Sequence, residues 1–146
     1  MSQVRTMVAQ PMLSMFYPFF AAELQEYTKM QMTVLCTTPA SPFITSDAPV
    51  AWIDPRVLGS PGFRGHVGLG NPTLEVTMPL SPRQLLLLTW QPTGLVPYAD
   101  IPDGAVQELN RRTHIFADKQ FVCCNSDTHD RWFDEEAAPP WARKSQ

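Results

Sequence analysis

At 146 residues the chain is long enough for one domain with its own core, and a hydrophobic content of 44% with 17% charged residues excludes a chain that is disordered throughout. A net charge of −3 argues against a broad phosphate-binding surface, so no broad nucleic-acid face is expected. Fifteen prolines, falling mainly between candidate elements, predict long and stiff connections.

The elements follow in chain order. Residues 1–12 read as a flexible leader ending near Pro11. The apolar run Met12 to Ala22 is interrupted by Pro18, is too short to span a membrane, and has Phe20 where a signal-peptidase site needs a small residue. From Leu13 to about Cys36, Phe16, Phe19, Phe20, Leu24, Tyr27, Met30, Met32, Val34 and Leu35 recur mostly at three- and four-residue steps. That spacing predicts an amphipathic helix, fraying at Thr33-Val34.

Phe43-Ile44-Thr45-Ser46-Asp47-Ala48-Pro49-Val50 joins two short strand-like runs across a kink set by Pro49. Asp47 at that kink has two readings: a turn acceptor for backbone N–H groups, or a ligand or catalytic carboxylate at a strand end. Residues 56–72 carry five glycines and form a loop. GFRGHVGLG lacks the Gly-Lys-Ser/Thr ending of a phosphate loop, and His66 within it reads as an exposed loop histidine.

Thr73 to Met78 alternates as a half-buried strand, Pro79-Leu80-Ser81-Pro82 turns the chain, and Gln84 to Trp90 is a near-continuous apolar strand; the two pair as an antiparallel hairpin. Arg83 at the hairpin end is placed to meet Asp47. Asp103 is the expected N-cap of a second helix that turns Val106, Leu109, Asn110, Thr113, Phe116 and Ala117 inward. Asn110 therefore borders the core and needs hydrogen-bond partners, from a strand backbone or from the Asp47 turn. Arg111-Arg112 and Arg143-Lys144 read as solvated charges. Residues 120–124 suggest a short last strand and 126–146 a tail, with Trp132, Phe133 and Trp141 as anchors. The fold class is α+β, loop-rich, with a small antiparallel sheet packed by two helices in a single domain over 13–125.

Three cysteines, Cys36, Cys123 and Cys124, give an odd count without CxxC spacing, which points to a reducing compartment and a cytoplasmic protein. His114, Cys123, Cys124, Asp127 and His129 are metal-ligating types but match no structural zinc spacing, so no metal site and no cofactor is assigned. No Gly-x-Ser-x-Gly elbow accompanies Ser46 and Asp47.

FITSD-x-PV, the downstream PLSP, the LLLL strand and the Leu109-Asn110 helix, in that order, resemble the bacterial family called domain of unknown function 4238 over roughly residues 20–125. The resemblance implies a largely helical N-terminal region with a His-x-x-Pro-like motif ahead of this part, and hence that the chain is a shortened member or a fragment. It implies no activity. The binding residues singled out are Thr45, Ser46, Asp47, Arg83 and Asn110. The expected function is a binding or interaction module with a protein partner or a second copy of itself, covering apolar surface that missing helices would leave open. The alternative is a hydrolytic enzyme, a metal-dependent phosphodiesterase or nuclease, with Asp47 as candidate catalytic group.

Overall fold

The computed structural model describes residues 11–56, 67–125 and 128–133. The leader through residue 10, the His66 loop, Asp127, Trp141 and Arg143-Lys144 lie outside the described residues. The chain divides into two compact units, the first ending at Met30 and the second beginning at Gln31.

In the first unit, α1 spans Pro11–Tyr27 with Pro18 in its interior. It ends in a turn in which Thr28 N–H donates to Leu24 O (3.1 Å) and Met30 N–H to Tyr27 O (3.1 Å). Phe20 and Leu24 are exposed. No helix of the described residues is long and apolar enough to cross a membrane.

The helix expected to reach Cys36 stops nine residues earlier, and the stretch beyond the turn is a strand, β1 (Gln31–Cys36). Thr33 and Val34 are β-branched and favour extended backbone, and β1 pairs with β5 (Gln84–Thr89) over its full length, from Gln31↔Thr89 to Cys36↔Gln84. The β5 ladder on one edge and β6 on the other satisfy the strand's backbone polar groups, which outweighs a helical spacing that a short alternating run also fits.

The second unit is built on a five-stranded sheet in the order β3-β4-β5-β1-β6. β3 (Ala51–Ile53), β4 (Glu75–Ser81), β5 and β1 are antiparallel to their neighbours, whereas β6 (Tyr98–Asp100) runs parallel to β1. The sheet is therefore mixed, not wholly antiparallel, because the connection from β5 crosses β1 before adding an edge strand. The predicted β4–β5 hairpin is present. Its turn is narrower than expected: Pro79, Leu80 and Ser81 belong to β4, Ser81 faces Gln84, and Pro82-Arg83 alone turn the chain. A register shift lies between Pro79 and Ser81, where a residue without an N–H is tolerated.

α2 (Asp103–Phe116) covers one face of this sheet. Val106 and Leu109 pack on Leu35, Leu85, Leu87, Ala99 and Phe43. Asn110, Thr113 and Ala117 are buried with them, as the helical spacing predicted. Pro102, not Asp103, occupies the cap position, extended at φ −70° and ψ 155° with no side-chain cap bond. The Asp103 carboxylate is used elsewhere, accepting from Ser41 Oγ and from Gln107 Nε2 (3.2 Å). Two small elements complete the unit. β2 (Thr45–Ser46) pairs antiparallel with β7 (Phe121–Val122), and a 3-10 helix, Asp130–Phe133, packs on α2 through Trp132, whose indole donates to Gln107 Oε1 at 2.6 Å.

Candidate functional site

Phe43-Ile44-Thr45 leaves the core as an extended segment, and its backbone is held from two sides. On one side Phe43 N–H donates to Pro82 O at 2.8 Å, which ties the segment to the hairpin end. On the other the Asn110 amide, 1% exposed, accepts from Ile44 N–H at 3.1 Å and donates to Pro42 O at 2.9 Å. One side chain thus supplies the donor and acceptor that a neighbouring strand would otherwise give.

This clamp brings the two motifs together. Phe43, Ile44 and Thr45 of the first and Pro79, Leu80, Ser81 and Pro82 of the second line one open, mainly apolar groove of about 320 Å³, closed on its remaining side by Val122 and Cys124. Leu80 and Val122 stand at its rim, 49% and 59% exposed. Leu80 is the residue that reading PLSP purely as a turn leaves out; the extra strand residues in β4 bring it to the rim, where Val122 of β7 meets the same groove.

The residues singled out from the sequence are therefore separated by role. Thr45 lines the groove and is exposed. Ser46 Oγ accepts from Ala48 N–H at 3.2 Å, an ST turn that shapes the kink. Asp47 lies just beyond: its Oδ1 accepts from Asp118 N–H (3.0 Å), its Oδ2 from Lys119 N–H (2.9 Å), and its own N–H donates to Gln120 O (3.2 Å). Partial desolvation pushes the Asp47 carboxyl upward, but the N–H donors of Lys119, Asp118 and Gln120 outweigh it and hold the group below its ordinary value. Both oxygens are thus engaged in tying the end of α2 and β7 to the kink, which is the turn-acceptor reading. The expected contact with Arg83 is not made. Arg83 sits on the hairpin turn, where its carbonyl accepts from Thr37 N–H (3.1 Å) and its side chain lines a separate shallow cleft with Cys36, Thr37, Ser81 and Gln84. A proline turn of two residues points it away from β2.

The remaining titratable groups disperse. His114 stacks edge-on with Phe121 and Phe133, with ring centroids 5.2 and 5.0 Å apart. Cys123 Sγ donates to Asn125 Oδ1 at 3.0 Å, and Cys124 faces the groove. Among the described residues no group of three or more His, Cys, Asp or Glu side chains is placed to hold a metal ion. Arg111 and Arg112 are not solvated: Arg111 is 5% exposed and pairs with Glu108 at 2.8 Å, and Arg112 pairs with Glu75 at 2.7 Å and Glu108 at 3.2 Å. The Glu108 spacing of three and four residues is the signal for those pairs in the sequence.

The fold and groove define an α+β protein in which two motifs distant in the chain build one exposed apolar site. The family model described as Protein of unknown function (DUF4238) matches residues 3–128, and the chain belongs to that family. No curated protein and no solved structure matches the chain.

Proposed function

We propose that the protein is an interaction module whose motif groove takes a short, extended apolar segment of a partner protein. The observation that carries this reading is the convergence of FIT and PLSP on one groove with Leu80 and Val122 exposed at its rim. Its apolar floor suits one or two aliphatic or aromatic side chains. Among the described residues β7 pairs only with β2, so the backbone beside the groove retains a strand edge to which an extended segment can add. Asp47 supports this reading over hydrolysis, since its oxygens already serve backbone N–H groups and no reacting atom is needed to account for them.

The test is selection from a displayed library of random peptides, followed by calorimetry of the enriched sequences. Peptides with a consensus of one or two apolar positions are expected, and Leu80→Asp, on a half-exposed rim position, weakens them by about 1–3 kcal/mol without shifting the unfolding midpoint. Enriched peptides that bind Leu80→Asp and Val122→Asp as tightly as the parent would remove the groove from the function. Sedimentation equilibrium over a concentration series separates an outside partner from a second copy of the chain: concentration-dependent dimers broken by the same substitutions assign the groove to self-association.

A further inference from the structure

A second pair of cavities lies away from the motif groove, around the charges of α2. One is an open cleft of about 320 Å³ lined by Arg56, Thr73, Glu75, Trp90 and Gln91 with prolines between them. The other is an open, shallow apolar slot of about 210 Å³ beside α2, lined by Leu35, Leu87, Leu95, Ile101, Ala105 and Leu109 together with Glu108. Glu75 lines both, and the Arg112 guanidinium that pairs with it lines the slot. The exposed connection 91–97 also serves both, giving Gln91, Pro92 and Thr93 to the cleft and Leu95 to the slot, with Gly94 at φ +70° between them. That angle is one glycine adopts without strain.

Behind Arg56 and Thr73 of the cleft lies a fixed polar shell. Asp54, 3% exposed, accepts from Asn71 Nδ2 (2.9 Å), Thr73 Oγ1 (2.7 Å) and Arg56 N–H (3.0 Å), and Arg56 Nη2 donates to Thr73 Oγ1 (2.5 Å). The Trp90 indole N–H is spent on Leu69 O at 2.6 Å, which fixes the ring and leaves its face as what it offers a ligand. The charges balance in pairs. Arg56 answers Asp54, and Arg111 and Arg112 answer Glu108 and Glu75. A net charge placed against the half-buried Glu75–Arg112 pair, whose Glu75 borders both cavities, would be left uncompensated.

We infer that the two cavities form one binding site for a small uncharged amphiphile, its apolar tail in the slot beside α2 and a hydroxyl- or amide-bearing head in the Trp90–Arg56 cleft. The tail displaces water from leucine and isoleucine walls, and the head finds hydrogen-bonding groups and an aromatic face.

The probe is n-octyl β-D-glucoside below its micelle concentration, titrated into the full chain by calorimetry and by amide and indole NMR shifts, with octanoate, octyltrimethylammonium and glucose as comparisons. Saturable binding is expected, with shifts at Ala105, Leu109, Gln91 and the Trp90 indole, and with each comparison weaker by about tenfold or more. Ala105→Leu fills the slot and costs a similar factor. Leu95→Ser, on the exposed connection, weakens binding with no demand on the core and serves should Ala105→Leu fail to fold. Equal binding of a charged probe, shifts centred on Leu80 and Val122, no saturable binding, or indifference to both substitutions overturns the site.

Discussion

Asn110 shows how much one amide can carry. It is buried among Val106, Leu109 and Thr113 and answers both Ile44 N–H and Pro42 O. Asn110→Ala orphans a buried donor and a buried acceptor and is expected to cost about 3 kcal/mol, read as a lowered urea midpoint at unchanged m-value. Leu would fill the volume and repair neither bond. Asp54 makes a prediction in pH. Burial pushes its carboxyl upward, but the bonds from Thr73, Asn71 and Arg56 pull it from 3.8 down to about 2. A group depressed on folding stabilises the fold above its unfolded value and loses that contribution as pH falls through its folded one. Stability should therefore drop between about pH 4 and pH 2, by on the order of 1–2 kcal/mol after solvent screening, and Asp54→Asn should flatten that part of the profile of unfolding free energy against pH. Asn110 was legible in the sequence because a polar residue on an apolar helix stripe demands a partner. Asp54 was not, since the groups that bury it come from Asn71 and Thr73, across a loop.

The hairpin and α2 illustrate elements whose patterns are unambiguous. Val76 and Leu74 alternate with polar residues, Leu85 to Leu88 form an apolar run fit for a strand with a neighbour on each side, and the α2 stripe has one apolar face. β1 departs from the helical spacing that Met30, Val34 and Leu35 share with α1, because the partners β5 and β6 decide for extended backbone. The 3-10 helix is another element that tertiary contact defines: four residues with little intrinsic propensity are held by Trp132, 3% exposed, through its bond to Gln107 and its edge-on contact with Phe121 at 6.3 Å. Trp132→Phe removes the indole donor and leaves Gln107 Oε1 unanswered in the interior. We expect a loss of about 1–3 kcal/mol, with faster amide exchange over 128–133 as the specific sign that this element has come loose.

For the molecule as a whole, the consequential fact is that the motifs by which the chain resembled its family are far apart in sequence and adjacent in space. Their meeting in a groove is why an interaction module is the reading we put to test, with Asp47 beside it accepting from the Asp118 and Lys119 N–H groups. Fold class, the hairpin, the inward face of α2 and the family followed from local periodicity and motif order, because a side chain's preference for strand, turn or helix acts over a few residues. The direction of β6, the end of α1, the burial of Arg111, the pairing of Arg112 with Glu75 and the two cavities around Glu75 did not. Each depends on which distant backbone supplies the hydrogen bonds or which distant elements cover a side chain, and such partners exist only once the chain has closed on itself.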